Sequence, residues 1–244
     1  MRHVEVNGLV FGEGEMKICI PVCEKTKEAA LREVKEIKKT KAQMIEWRLD
    51  YFEEDILEAA EEIFKAAGHM PVLCTFRTKA EGGEREIDLE SYFAMYEGLA
   101  ERGAKMVDLE LAICGAVEAY AVQFIAALHS MGVVVVISYH NFQNTPEREE
   151  IKQTFELMRM LDADLPKIAV MANDQRDVMT LFTAMAEVSE TCWPLIGISM
   201  GGIGRVSRVR GSIFGCAVTF ATREKASAPG QIDVETLVRL MASN

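Results

Sequence analysis

The chain has 244 residues, 27 basic against 38 acidic side chains, and a net charge of −11. Phosphate binding needs a basic face, so nucleic acid is not an expected partner. No apolar run approaches the ~20 residues of a membrane-spanning helix. With 49% apolar residues the chain can still bury a large core. The N-terminus, Met1-Arg2-His3-Val4-Glu5-Val6, alternates and lacks a signal-peptide apolar region. The expectation is a soluble cytoplasmic protein. An anionic substrate would need a local cluster of arginines against the overall field.

The six cysteines, Cys19, Cys23, Cys74, Cys114, Cys192 and Cys216, lie in or beside apolar runs. They show no CxxC pair and no zinc-ligand spacing, and read as reduced, packed thiols.

Taken in order, Val4–Val6 and Leu9–Phe11 flank Asn7-Gly8 and predict a tight hairpin. A rhythm of strand and helix follows. Residues 17–22 are a strand and 26–39 a helix with Ala30, Leu31, Val34 and Ile37 on one face. Residues 43–48 are a strand, and a helix from about 54 to 67 ends at Gly68. Strand 71–76 leads into a polar, Gly-rich loop over 77–85 and a helix over 88–102. Strand 105–110 precedes a helix over 116–130, capped by Gly132. Residues 133–138 are β-branched almost throughout and form the fifth strand. Thr145-Pro146 opens the next helix with a cap residue and Pro in first position. Strand 165–171, helix 174–190, strands 194–199 and 215–220, and a last helix capped by Asp233 complete the series.

Eight short apolar strands alternating with helices predict a parallel sheet. Eight such units in ~250 residues fit a closed (β/α)8 barrel, one domain over 1–244 with an N-terminal hairpin. A doubly wound sheet would favour a Gly-rich turn after the first long strand; Pro21-Val22-Cys23-Glu24-Lys25 has no glycine.

The sixth strand, Leu165-Pro166-Lys167-Ile168-Ala169-Val170-Met171, carries a lysine among aliphatic residues. A buried ammonium tends to lose its proton, and a neutral amine can attack a carbonyl to form an imine. A strand-edge lysine that snorkels to water is the alternative. In a barrel the active site lies at the C-terminal strand ends. Polar residues interrupt the strands there: Glu46 and Arg48, Arg77, Asp108 and Glu110, Ser138 and His140. Glu46 and Arg48 share a face, as do Ser138 and His140; the alternatives are that Glu46 and Arg48 form a structural ion pair, that Arg77 is a solvated loop charge, that Asp108 and Glu110 are buried partners of arginines, and that His140 is a satisfied loop histidine. Lys167 lies toward the start of its strand, so it must project inward from deep in the barrel. His3, His69 and His129 fall at expected surface positions.

In these pieces the chain resembles the type I 3-dehydroquinate dehydratases, the Schiff-base-forming family of the shikimate pathway. The matching pieces are Glu46-Trp47-Arg48-Leu49-Asp50, Thr75-Phe76-Arg77-Thr78 with Glu81-Gly82-Gly83-Glu84, and Val107-Asp108-Leu109-Glu110-Leu111. They continue with Ser138-Tyr139-His140-Asn141-Phe142, Thr145-Pro146, Pro166-Lys167-Ile168-Ala169-Val170-Met171, Ile198-Ser199-Met200, Ser207-Arg208 and Ala228-Pro229-Gly230-Gln231-Ile232. The match runs in order from about residue 17 to the end.

The resemblance implies a (β/α)8 barrel acting without metal or cofactor, often as a homodimer. It implies that Lys167 forms the imine with the C3 ketone of 3-dehydroquinate. His140 would move the C2 proton and then protonate the leaving C1 hydroxyl, oriented by Glu81. Glu46, Arg48 and Arg77 match binders of the ring hydroxyls, and Arg208 the carboxylate binder. Ser227, Ala228 and Gln231 match a lid, and Met200 and Phe220 apolar walls. Two departures stand out. Asn141 replaces an acid common after the histidine, so the histidine's tuning is expected to differ. Gly201-Gly202-Ile203-Gly204 replaces a bulkier, more polar stretch, which predicts a looser seventh loop. Those glycines also leave open a class I aldolase with a phosphate site. A catalytically dead barrel acting as a binding module is the other alternative.

Overall fold

The computed structural model describes residues 3–224 and 226–243. Met1 and Arg2, read above as part of the N-terminal alternation, lie outside the described residues, as do Lys225 and Asn244. Strands β1 (Val4–Val6) and β2 (Leu9–Phe11) form the expected antiparallel hairpin. Asn7 and Gly8 turn it with φ of 52° and 83°, the positive values that a two-residue hairpin needs.

Eight parallel strands then follow in chain order: β3 (Lys17–Val22), β4 (Met44–Arg48), β5 (Val72–Thr75), β6 (Met106–Glu110), β7 (Val134–Asn141), β8 (Leu165–Met171), β9 (Ile196–Met200) and β10 (Val218–Thr222). From β3 to β9 each pairs with the next in sequence, and β10 pairs with β3. A two-residue strand, β11 (Ile232–Asp233), adds beyond β10. The sheet curls into the (β/α)8 barrel that strand–helix alternation predicts. The helices around it are α1 (Lys27–Ile37), α2 (Ile56–Ala67), α3 (Leu89–Glu101), α4 (Leu111–Ala116), α5 (Glu118–Ser130), α6 (Arg148–Met160), α7 (Gln175–Cys192), α8 (Arg205–Arg210) and α9 (Val234–Ala242). Thr26, Asp55, Asp88, Asp174 and Asp233 cap α1, α2, α3, α7 and α9, accepting from first-turn amides.

Some local expectations are corrected. The helix expected over 116–130 is α5, and a short helix that was not anticipated, α4, precedes it; the two break at Val117, where φ is −137° and ψ 45°. Thr145 does not cap α6; Glu147 holds the cap position without a side-chain bond. The Thr145 hydroxyl instead donates to the Met171 carbonyl at 2.8 Å, tying the chain after β7 to the end of β8. Strands β9 and β10 sit further along than expected, and α8, β11 and a 3-10 turn at Gly211–Phe214 were not anticipated. His129 is not at the surface: it is partly buried, with Nε2 2.9 Å from Asp164 and Nδ1 3.3 Å from Asp162. All six cysteines are free, as expected, and only Cys23 is partly exposed.

Stagger between strands removes the depth problem at Lys167. Glu110, the last residue of β6, pairs with Ser138 of β7, which pairs with Lys167 of β8. An early residue of β8 is thus level with the C-terminal end of β6, because closure of a barrel requires a shear between strands.

Helix α3 pins this end of the sheet with two tyrosines one turn apart. The Tyr96 hydroxyl accepts from the Phe76 amide at 2.9 Å and donates to the Asp108 carbonyl at 2.6 Å. The Tyr92 hydroxyl accepts from the Glu110 amide at 2.9 Å. Both rings are fully buried, so these hydroxyls satisfy backbone groups that the strands leave unpaired.

Between β9 and β10 the ladder is reduced to one bridge, Leu195 to Cys216, with the Ala217 amide on the Leu195 carbonyl at 2.8 Å. Further up this seam α8 replaces the missing strand contacts. Ser207 Oγ accepts from the Ser199 amide at 2.9 Å and donates to the Gly204 carbonyl at 2.8 Å. The Thr219 hydroxyl donates to the Arg208 carbonyl at 2.9 Å. Ser207 is completely buried. Ser207→Ala should therefore leave the Ser199 amide without a partner and cost ~1–3 kcal/mol of stability. A denaturant midpoint unchanged from the parent would contradict this account of the seam.

Candidate active site

The inward residues of the strand ends meet in one cavity, open at its mouth. The twelve residues that the resemblance assigns to the site all line it, whereas Asp108, Glu110 and Ser138 lie behind its wall. Glu46 and Arg48 come from β4, Arg77 and Glu81 from the loop after β5, His140 from β7 and Lys167 from β8. Met200, Arg208 and Phe220 come from β9, α8 and β10, and Ser227, Ala228 and Gln231 from the loop after β10. Gly82, Phe142, Ala169 and Ile198 also line it and were not singled out from the sequence.

Lys167 is buried, but its amine does not sit among aliphatic groups alone. Nζ is 3.0 Å from Asp108 Oδ2 and 3.5 Å from Glu46 Oε1, and lies 4.7 Å above the centre of the Phe220 ring. The expected apolar environment is thus corrected to an ion pair with an aromatic face beside it. Glu46 also accepts from the Thr75 hydroxyl at 3.0 Å. It is not the partner of Arg48. That guanidinium grips Asp50 bidentately, at 2.8 and 2.7 Å.

Arg77 is not a solvated loop charge. Its Nη2 donates to Asp108 at 2.8 Å, and its Nη1 reaches Glu110 at 3.0 Å, Ser138 at 2.9 Å and Glu81 at 3.4 Å. Burial pushes the Asp108 carboxyl up, but the charges of Arg77 and Lys167 and the Ser138 hydrogen bond outweigh it and hold the group below its ordinary value. The turn carrying Glu81 is tight. Gly82 has φ of 84°, and a Cβ on Gly83 would stand 1.9 Å from the Arg77 carbonyl oxygen. Asp50 fastens the same loop, accepting from the Glu84 amide at 3.1 Å and the Arg77 amide at 3.4 Å. Asp50 was quoted in its motif but given no part in the site; an acid two residues beyond an inward arginine was the available signal.

His140 Nδ1 lies 2.8 Å from Glu81 Oε2. Burial, and then the charges of Arg77, Lys167 and Arg48, hold the imidazole well below its ordinary value, which favours the neutral ring. Burial pushes the Glu81 carboxyl up to about 8, against the pull of Arg77. Both directions disfavour a charged pair.

Arg208 differs from the other arginines. Nη1 donates to the Phe220 carbonyl at 3.2 Å and Nη2 to the Pro229 carbonyl at 3.1 Å, and Nε is buried with no partner. Among the described residues no carboxylate pairs with it. Burial pulls it down to about 10, still charged at neutral pH. In the loop above, Gln231 and Ser227 satisfy each other, with the Ser227 amide on Gln231 Oε1 at 2.7 Å and Gln231 Nε2 on Ser227 Oγ at 3.0 Å.

The sequence profile of the type I 3-dehydroquinase family matches residues 18–243. The chain belongs to this family. It is therefore an enzyme of the hydro-lyase class. It is 43% identical to a 3-dehydroquinate dehydratase of Listeria innocua, over 97% of this chain and 96% of that one. The crystal structure of the type I enzyme from Clostridium difficile with covalent modified comenic acid superposes with a TM-score of 0.92 at 36% identity, covering 98% of this chain and 96% of that one. The 3-dehydroquinate dehydratase of Geobacillus kaustophilus superposes with a TM-score of 0.93 at 30% identity, over 99% and 95%.

The two departures from the family pattern have structural explanations. Asn141 Oδ1 accepts from the amides of Gln143 at 2.9 Å and Asn144 at 3.1 Å. It shapes the turn after β7, an acceptor task that an aspartate performs equally, and makes no hydrogen bond to His140. The glycines after Met200 allow close approach rather than looseness. A Cβ on Gly204 would meet the Ser199 carbonyl oxygen at 2.2 Å, and one on Gly230 would meet that of Gly201 at 2.3 Å. The Gly201 amide donates to Pro229 at 3.3 Å. Two loops thus touch backbone to backbone over the cavity.

The neutral ring of His140 is measurable. Its nitrogen chemical shifts should show no imidazolium between pH 8 and pH 6, although an ordinary histidine is largely charged at pH 6. An unfolded histidine takes up its proton near 6.5, so this burial costs stability as pH falls below that value. Imidazolium at pH 6 in the folded, empty protein would overturn the assignment.

Proposed function

We propose that the enzyme dehydrates 3-dehydroquinate to 3-dehydroshikimate in the shikimate pathway, through an imine on Lys167 and proton transfers by His140. The observation that carries the reading is the sorting of cations. Arg48 and Arg77 are neutralised by the chain's own carboxylates, whereas Arg208, in the same cavity as Lys167 and His140, has none among the described residues. A buried guanidinium with a free Nε is a seat for a ligand carboxylate.

With the carboxylate on Arg208, the Lys167 amine attacks the C3 ketone, and loss of water gives a protonated imine. That cation is an electron sink that acidifies the C2 hydrogen. With Glu81 ionised and holding Nδ1–H, the Nε2 lone pair of His140 takes the C2 proton. Glu81, raised toward about 8 by burial, can receive the Nδ1 proton in turn. As Nε2 delivers its hydrogen to the C1 hydroxyl, which leaves as water, Glu81 returns its proton to Nδ1, so both groups end as they began. Hydrolysis of the imine consumes one water and frees Lys167, so the balance is one water lost from the substrate. Glu46, Arg48 and Arg77 hold the ring hydroxyls, Met200 and Phe220 wall the ring, and Ser227, Ala228 and Gln231 close over it. The reading takes the chain as one barrel domain and a homodimer without metal or cofactor, on the strength of the family resemblance, and as cytoplasmic from its sequence.

The aldolase alternative needs free glycine amides after Met200, and the Gly201 amide is already given to Pro229. The dead-barrel alternative would be expected to lose Lys167 or His140, and both are in place.

Borohydride reduction in the presence of substrate or product, in a strong chelator, should add one ligand mass, and peptide mapping should place it on Lys167. An adduct on another lysine, or none, removes the imine from the mechanism. A second measurement concerns the loop. Residues 226–230 carry no large apolar side chain, and the contacts that dock them include Gly201 to Pro229 and Arg208 to Pro229, so the loop should open at low free-energy cost. Amides of residues 226–232 should exchange quickly in the empty enzyme and slowly with product bound. Equal exchange under saturating ligand means the loop is no lid.

A further inference from the structure

Phe142 is a large apolar residue, 36% exposed, at the mouth of the cavity. Its ring lies nearly parallel to the His140 imidazole, 19° between planes and 6.5 Å between centres. His140 is the penultimate residue of β7, and Phe142 stands just beyond the strand, in the bend that follows it. Opposite them, the turn after β5 offers Glu81 and Gly82 as consecutive residues. Glu81 bonds His140, and Gly82 faces Phe142. A Cβ at Gly82 would stand 2.5 Å from Phe142 Cε2 and 2.6 Å from Cζ, distances at which the ring must move. The two segments therefore meet in two adjoining contacts, one polar and one steric.

We propose that Phe142 is a positioning residue for the acid–base pair, seated by the space that Gly82 leaves open and keeping the His140 ring dry and aligned with Glu81. The idea rests on His140 being the acid–base group. The groups facing that imidazole are Glu81 and Arg77 from the turn, Arg48 from β4 and Lys167 from β8. Three are cations, which repel a proton on the ring; water entering beside it would screen them and solvate an imidazolium. Phe142 closes the side toward the mouth, and the His140 side chain is 11% exposed.

The test uses the full chain. Phe142→Ala should lower kcat about 10- to 100-fold, a cost typical of small misplacement of a reacting group, with KM within about twofold of the parent. Its His140 ring should show imidazolium at pH 6, where the parent shows none. Phe142→Tyr should restore both. Phe142→Leu, which keeps apolar volume should the alanine variant fold poorly, should shift both in the same direction by less. Gly82→Ala should lower kcat in the parent, and by a smaller factor in the Phe142→Ala background, where no ring remains to collide with. A parent-like ring signature and kcat in Phe142→Ala, a loss confined to KM, or the same Gly82→Ala factor in both backgrounds would each overturn the proposal. His140→Ala is run alongside. Its near-complete inactivity beside a parent-like Phe142→Ala defeats the positioning role alone, whereas near-native turnover of His140→Ala defeats the acid–base reading and this inference with it.

Discussion

The Arg77 guanidinium is the charge on which the site balances. It is 4% exposed and shares each acid it touches with a second group. Asp108 is held jointly with Lys167, Glu81 jointly with His140, and Glu110 jointly with the Thr78 amide and hydroxyl at 2.8 Å each. One buried cation therefore links the lysine's surroundings to the histidine's. Removing one member of such a pair leaves an uncompensated charge and costs ~3–5 kcal/mol. The surrounding structure is arranged to keep Arg77 in place. Asp50 and the close approach at Gly83 fix its backbone, and the tyrosines of α3 fix the strand ends carrying Asp108 and Glu110.

Much of this was legible in the residues and much was not, for physical reasons. The alternation of short apolar runs with amphipathic helices is enforced by burial, so the barrel could be read. Inward polar residues could be picked out because they interrupt apolar strands. Their partners could not. Arg48 with Glu46 is as good a pair in sequence as Arg48 with Asp50, and only the bend after β4 decides between them. Thr145-Pro146 carries the composition of a helix start, yet a tertiary acceptor, the Met171 carbonyl, takes the hydroxyl. The depth of Lys167 depended on strand stagger, which no single strand encodes. Phe142 and Gly82 read separately as a loop aromatic and a turn glycine, and their meaning lies in their contact.

The seam between β9 and β10 shows how a weak point in the barrel serves the site. With the ladder reduced to one bridge, the side chains and carbonyls of α8 fill the gap, which carries Arg208 into the wall of the cavity. Its guanidinium is held by the carbonyls of Phe220 and Pro229 rather than by an acid. Carbonyls orient a cation without neutralising it, so the charge stays available to a ligand in a chain whose overall charge is negative.

The ion pair at Lys167 places Asp108 3.0 Å from the nitrogen that must act as a nucleophile. Its sense emerges from the later steps of the proposed reaction. A protonated imine carries its positive charge on the same nitrogen, beside the same carboxylates. The electron sink that acidifies C2 depends on that charge persisting through proton removal. Asp108, held ionised by Arg77, Lys167 and Ser138, and the Phe220 ring face are thus already oriented toward a cation at this atom. No reorganisation is needed when the imine forms, which is the condition under which fixed charges contribute most to a transition state. The site pays in the first step, where the amine must give up its proton, and recovers the benefit in the elimination.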